Sequence, residues 1–274
     1  MLKIVLGVVG VGVLAALPSP ASANPHPLPF SYPYETLPQG KVEVEQYMDF
    51  VPIRVEREKL DGTLEGVWGV RSVLTTELEL GLTDNLEFGF YFQFRQGASG
   101  TTPFMRFDGV KQRLRYRFAE TGELPVDIGL YLEIAEFQNE LEFEEKILLS
   151  KRLGDVVLVA NLWVEQEWYF QAGTTKYIFN PTVGAAYEIT PRFHVGLEYW
   201  ARGRFDDTSD DPVTAGDDAP TSTHHYLGPT FLYQQGPVFF SLGAYVRMDD
   251  IGDSAIVGDP YGKLWLRSII GLEL

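Results

Sequence analysis

Apolar and polar residues alternate with a period of two along most of this chain. From Leu86 to Arg95 the even-numbered positions are all Leu or Phe, whereas the odd-numbered positions include Glu87, Gln93 and Arg95. Successive side chains of a β-strand point to opposite faces. The segment therefore predicts a strand with one apolar face and one largely polar face.

The same alternation recurs along the chain and predicts about twelve strands, each of roughly ten residues, the length at which a tilted strand crosses a bilayer. The segments lie near Val42 and at 68–80, 86–95, 110–118, 126–134, 141–151, 156–170, 177–189, 193–199, 225–233, 238–246 and 264–272. Helical periodicity and linkers are not evident, so a single domain is expected. An interruption at Pro52 or Pro181 would change the number of strands to ten or fourteen.

The lengths of the connections between the predicted strands also alternate along the chain. Those after even-numbered strands are short, and most of those after odd-numbered strands, such as residues 52–66, are longer or more polar. This alternation is typical of a membrane barrel with both chain ends in the periplasm. A soluble β-sandwich is the alternative, because its strands also alternate. Charges at consecutive polar-face positions, and aromatic residues near strand ends, favour the barrel.

The N-terminus has the pattern of an export signal. Lys3 precedes an apolar run over residues 4–17, which ends before Ala21, Ser22 and Ala23. We expect residues 1–23 to be a signal peptide cleaved after Ala23, with an uncleaved anchor as the alternative. The Pro-rich residues 24–40 are then expected to lie in the periplasm, and residues 41–274 to form the barrel.

Two regions of the chain carry a resemblance to a known class. Residues 76–84 read as a strand entering a tight turn, residues 85–90 leave that turn, and residues 264–274 form a closing strand. With these features the chain resembles a Gram-negative outer-membrane β-barrel and is similar to porin-like barrel proteins. It departs from the usual pattern in ending on Leu274 instead of an aromatic residue. The resemblance implies an all-β, up-and-down antiparallel transmembrane barrel, and it assigns no functional residue.

The polar face of such a barrel lines its lumen, and here it carries both signs of charge. The predicted lumen-lining residues are Glu77, Glu79, Glu87, Arg95, Lys111, Arg113, Arg115, Arg117, Asp127, Glu133, Glu144, Lys146, Glu165, Glu167, Glu198, Arg247 and Arg267. These side chains could line an open pore or form a network of ion pairs. Barrels of eight strands are filled by side chains and barrels of sixteen are open, so about twelve strands leave both uses possible.

Composition narrows the possible partners. The chain has 22 Lys and Arg against 38 Asp and Glu, a net charge of -16, which argues against a nucleic-acid partner. It contains no Cys, which excludes disulfides and thiolate metal sites. Part of the acidic excess lies in residues 206–218, whose carboxylates suit divalent cations. The spacing there does not match an EF-hand, so a solvated acidic loop is favoured over a cation site.

Evidence for enzymatic chemistry is weak. His224 and His225 lie near Ser222, as in some lipid hydrolases of the outer membrane, but proximity in sequence is poor evidence for a nucleophile and its base. We therefore assign no catalytic residue, metal ligand or cofactor. The expected partners are outer-membrane lipid and small polar solutes. The leading hypothesis is a porin-like channel for passive diffusion of small hydrophilic solutes. A plugged structural or surface-interaction barrel and a lipid-modifying surface enzyme are the alternatives.

Overall fold

The protein forms a closed antiparallel β-barrel. The computed structural model describes residues 24–96, 105–205, 220, 222–249, 251–252, 255, 257 and 259–274. The predicted signal peptide and the acidic loop at residues 206–218 lie outside the described residues. The strands are β1 (Val42–Glu58), β2 (Leu64–Thr83), β3 (Leu86–Gln96), β4 (Met105–Arg117), β5 (Asp127–Phe137), β6 (Glu140–Leu153), β7 (Val156–Tyr169), β8 (Thr174–Phe179), β9 (Thr182–Thr190), β10 (Phe193–Arg204), β11 (His224–Gln235), β12 (Val238–Arg247) and β13 (Leu264–Glu273).

Twelve strand positions make up the wall. Strands that follow one another in the chain pair with each other, except β8 and β9, and β1 closes the circle by pairing with β13. The short strands β8 and β9 both pair with β7, along Val164–Tyr169 and Val156–Asn161 respectively. They are two halves of one barrel strand, interrupted at Asn180 and Pro181, because proline has no N–H to donate to the ladder. The predicted fold class is confirmed, and Pro181 does not change the count.

The alternation in sequence separates the two faces of the wall. On β3, Phe92 and Phe94 face outwards and are exposed, whereas Tyr91 and Gln93, which alternate with them, are buried in the interior. The outer surface is therefore an apolar band suited to lipid. Glu145 also faces outwards, in register with Leu132 and Val164, as the alternation of β6 predicts. Among the described residues, no helix is long and apolar enough to cross a membrane.

The first hairpin is longer than the sequence indicated. Residues 52–66 were expected to form a long loop, but β1 and β2 stay paired up to Glu58 and Leu64. The ladder continues through Pro52, and Val51 and Ile53 on either side of it are buried inside the barrel. Because these apolar side chains keep the period of two, the hairpin extends and only residues 59–63 connect the strands.

Residues 24–37 lie inside the barrel and the exposed residues 38–40 lead from them to β1, whereas the sequence predicts that residues 24–40 form a periplasmic extension. The side chains of His26, Leu28, Tyr34 and Leu37 are at most 1% exposed. A barrel of this size leaves an interior that its own side chains do not fill, and the segment supplies apolar groups that gain by leaving water. We call residues 24–40 the plug segment.

Candidate functional site

The lumen holds the predicted charged residues. Buried inside the barrel are Glu77, Glu79, Glu87, Arg113, Arg115, Asp127, Glu133, Glu144, Lys146, Glu165, Glu167, Glu198 and Arg247. Three cations are partly exposed and paired: Lys111 with Glu133, Arg267 with Asp49, and Arg95 with Asp108. Arg117 and Asp127 lie at one end of the barrel. Arg117 pairs with Glu120, and Asp127 accepts a hydrogen bond from the backbone N–H of Gly122.

One group of charges joins the inner faces of β2, β3 and β4. The Arg113 guanidinium donates a hydrogen bond of 2.7 Å from Nε to Glu77 Oε1, lies 2.6 Å from Glu87 Oε1, and contacts Glu79. Arg115 lies directly opposite Glu87 in the ladder and donates to its carboxylate at 2.7 Å. These groups are fully buried, so each depends on its partners to replace the water it has lost.

A second group surrounds Lys146 on β6. Its ammonium nitrogen lies 3.5 Å from the ring centroid of Trp163 and 3.9 Å from those of Tyr32 and Tyr131. It also lies 2.5 Å from Glu144 Oε1. Aromatic faces attract a desolvated cation. Since Tyr32 belongs to the plug segment, this cage joins the plug segment to the wall.

Polar groups of the wall bind the backbone of the plug segment. The carboxylate of Glu198 accepts hydrogen bonds from the backbone N–H groups of Phe30 and Ser31. Asn161 forms two hydrogen bonds with the backbone of Tyr32. These interactions replace the strand ladder that the plug segment lacks. The segment is thus held in the lumen by side chains of the wall and is not a strand of the sheet.

Two glycines of the wall give the plug segment space. A Cβ atom on Gly184 would lie 2.8 Å from Leu28 Cδ1, and one on Gly196 would lie 3.2 Å from Leu28 Cδ2. Both glycines face inwards on adjacent strands, β9 and β10. The space that these two glycines leave free is occupied by the completely buried Leu28 side chain, and we call it the Leu28 seat.

A cavity lies on each side of the plug segment. One has a volume of about 190 Å³ and is lined by Phe30 and Tyr32 of the plug segment and by wall residues that include Asp49, Arg71 and Glu142. The other, with about 410 Å³, lies towards the short turns and is lined by other plug residues. The plug segment therefore separates two spaces within one barrel.

An aromatic layer narrows the first of these cavities. Phe30 stacks on Trp200 with ring centroids 4.2 Å apart, and the Arg267 guanidinium lies 3.8 Å from the centroid of Phe30. Tyr261, from the connection between β12 and β13, folds inwards and accepts a hydrogen bond from Arg202 Nε. The lumen thus combines charged and aromatic surfaces around its remaining space.

The alternation along the strands does not predict the contacts of the plug segment. Asn161 and Thr182 were not among the predicted lumen residues, although both bind the plug segment. The sequence of the plug segment does contain one indication of burial, because Leu28, Phe30 and Tyr32 have the period of two seen in the strands. The prolines that interrupt this region instead suggested an extension outside the barrel.

The two neighbouring histidines point to different partners. His224 Nδ1 lies 3.1 Å from Asp249 Oδ2, and His225 Nδ1 lies 2.7 Å from the Tyr199 hydroxyl. Adjacent residues of a strand face opposite sides of the wall. The arrangement therefore does not place both imidazoles at one nucleophile.

Comparison with solved structures identifies the type of barrel. No protein-family model and no curated protein sequence matches the chain. The fold is similar to that of the COG4313 outer membrane channel from Pseudomonas putida F1, with a TM-score of 0.57, 11% identity, and coverage of 88% of this chain and 98% of that one. It is also similar to the NanC porin, with a TM-score of 0.53, 8% identity, and coverage of 84% and 97%. The protein has the fold of porin-like outer-membrane barrels.

Proposed function

We propose that this protein is an outer-membrane channel for small hydrophilic solutes, closed here by its own plug segment. The observation that carries the proposal is that the lumen is blocked by a peptide outside the strand ladder, with a cavity on either side. Removing that peptide would leave the wall pairings in place, because they join strand to strand around the barrel. The likeness to channel barrels supports the same function.

The contacts that hold the plug segment are compatible with reversible release. They include hydrogen bonds from wall side chains to the plug backbone, such as those of Glu198 and Asn161. A typical intramolecular hydrogen bond contributes only about 0.5–1.5 kcal/mol net, and one to a charged group such as Glu198 about 1.5–3 kcal/mol, since water replaces the lost partner. As the segment leaves, water entering from the two cavities would form hydrogen bonds with the wall side chains in place of the lost ones.

The solute class follows from the surface of the cavity that Phe30 and Tyr32 line together with the wall. Arg71 and Lys111 face the same space as Asp49 and Glu142, so the lining carries both charges. Paired charges offer hydrogen bonds to a polar solute without strong selection for one sign. The aromatic layer at Phe30 and Trp200 would contact the less polar face of a solute.

Planar-bilayer recording tests the proposal. The mature wild-type chain should show rare or brief conducting steps, and a variant that lacks residues 24–39 should conduct for most of the time. A variant without residues 24–39 that inserts into the bilayer, retains its β-sheet circular dichroism spectrum and conducts no ions would overturn the channel function.

A permanently plugged structural barrel is the second candidate. It is favoured by the complete burial of Arg113, Arg115 and their carboxylate partners, which rigidify the wall beneath the plug segment. In that case the wild-type chain would show no conducting steps under any voltage, and its plug segment would resist proteolysis from both sides of the bilayer.

A further inference from the structure

Three carboxylates converge inside the barrel at the boundary between β1 and β2. Glu45, Glu77 and Glu79 each offer a carboxylate oxygen, and these oxygens lie within 4.8 Å of one another. All three side chains are at most 1% exposed. A calcium ion with bonds of about 2.4 Å bridges oxygens that lie up to about 4.8 Å apart. The spacing therefore suits one shared divalent cation.

The strand register places acidic residues directly opposite one another. Glu45 pairs with Glu77 across the ladder, and Glu43 pairs with Glu79. Like charges at directly opposed positions of two strands destabilise the sheet. The repulsion is stronger in a buried site, where little water screens it. Protons on the carboxylates or a positive charge beyond those of the wall would relieve this repulsion.

The guanidinium groups of this region do not balance the negative charge of the buried carboxylates. Arg113 and Arg115 contribute two positive charges to five buried carboxylates, which leaves an excess of three negative charges if all are ionised. These five are Glu43, Glu45, Glu77, Glu79 and Glu87. A divalent cation would remove most of that excess.

Each carboxylate of the trio has one oxygen without a hydrogen bond within the described residues, and that of Glu79 lies 3.7 Å from Arg115 Nη2. Tyr47 donates to Glu45 Oε2, and Arg113 binds one oxygen of Glu77 and one of Glu79. The other oxygens, Glu45 Oε1, Glu77 Oε2 and Glu79 Oε2, are buried and have no hydrogen-bond partner among the described residues. Buried acceptors without donors are rare, because each costs the free energy of its lost hydration.

A nitrogen of the plug segment also faces this cluster without a hydrogen-bond partner. His26 Nε2 lies 3.4 Å from Glu45 Oε1, and it is buried and has no hydrogen-bond partner within the described part of the chain. The imidazole side chain is 1% exposed and stacks on Phe239. An imidazole nitrogen is itself a common metal ligand. This nitrogen is a second observation, independent of the acidic residues, that points to a cation.

We propose that Glu45, Glu77 and Glu79 bind a divalent cation, with His26 at the edge of the site. Its position lies beneath the plug segment, whose Asn24 and Leu37 donate backbone N–H groups to the neighbouring Glu43 and Glu87. By neutralising the cluster, the cation stabilises the plugged barrel. The proposal does not depend on whether the barrel conducts.

Metal content of the refolded full-length mature chain tests the site. The wild-type chain is refolded with Ca²⁺, with Mn²⁺ or with a chelator, freed of unbound metal, and analysed by mass spectrometry for metals. We expect about one tightly held ion per chain after refolding with a cation. Glu45→Gln should reduce retention by roughly tenfold or more, because outer-shell changes alone reach that size. Glu142→Gln, a buried carboxylate change elsewhere in the lumen, is the matched control.

The stability of the folded chain gives a second readout besides metal content. Refolding in chelator should lower the denaturant midpoint of the wild-type chain and leave that of Glu45→Gln nearly unchanged, because this variant holds little metal that a chelator could remove. Equal metal retention by the wild-type chain, Glu45→Gln and Glu142→Gln would show adventitious binding only and overturn the proposal. A wild-type chain that retains no ion and is insensitive to chelator would also overturn it, and would indicate that protons neutralise the carboxylates.

Discussion

The carboxylate of Glu198 on β10 accepts a hydrogen bond of 2.7 Å from the backbone N–H of Ser31 in the plug segment. The same carboxylate accepts a second backbone N–H, from Phe30, and a hydrogen bond from the Tyr245 hydroxyl. One fully buried wall side chain thus holds the turn of the plug segment in the middle of the lumen.

Replacing Glu198 by Ala should favour the open state. Hydrogen bonds to charged groups contribute about 1.5–3 kcal/mol each, so the loss of one such bond shifts the ratio of open to closed channels by roughly 10- to 100-fold. Single-channel recording measures this as the open probability. Glu142→Gln is the control, because it changes a carboxylate that lines the cavity beside the plug segment, which Glu198 does not line. Equal open probabilities for both variants would contradict the anchoring role.

Truncating Leu28 should loosen the plug segment without breaking the barrel. Leu28→Ala removes a completely buried side chain from its seat at Gly184 and Gly196, a change that typically costs about 2–5 kcal/mol. Hydrogen exchange over residues 24–40 should become faster, while the wall strands exchange as before. Leu60→Ala, in the exposed connection between β1 and β2, should leave both rates unchanged.

Removing the charge of Lys146 should destabilise the folded barrel. Lys146→Met leaves Glu144 as an uncompensated buried charge, which costs about 3–5 kcal/mol. The double variant Lys146→Met with Glu144→Gln should recover part of this loss, because it removes both charges. Denaturant unfolding in detergent gives the free energies of unfolding of the wild-type chain, of Lys146→Met, of Glu144→Gln and of the double variant. If the double variant is as unstable as the sum of the single variants, the two groups do not interact.

The wall could be predicted from sequence because one physical rule governs it. A lipid-facing residue and a lumen-facing residue alternate along each strand, so Leu86 to Arg95 could be assigned to faces before any pairing was known. Even the outward position of Glu145 follows from this rule, although its chemistry does not fit an apolar surface. Pro181 lies within the pattern and interrupts only the backbone hydrogen bonding.

The contents of the lumen were harder to predict because they depend on contacts far apart in sequence. Phe30 reaches Glu198 across 168 positions, and Ser31 reaches Thr182 across 151. No periodicity encodes such a contact, since it depends on where the plug segment enters and how deep it lies. The charges on the inner faces were predictable, but which of them bind each other, and which bind the plug segment, required the three-dimensional arrangement.

A reversible disulfide between the plug segment and the wall tests the central claim most directly. Ser31 Oγ lies 2.8 Å from Thr182 Oγ1, so the two side chains are close enough for a Ser31→Cys, Thr182→Cys pair to form a disulfide. The chain has no native Cys, so no other disulfide can form. The single variant Ser31→Cys serves as the control for the effect of the oxidant.

The double-cysteine variant is recorded in a planar bilayer, first oxidised and then after addition of a reductant. If the plug segment closes the channel and leaves when it opens, the oxidised protein should not conduct, and reduction should restore conducting steps in the same membrane. Conducting steps that are equally frequent before and after reduction, with the disulfide verified by mass spectrometry, would contradict the account.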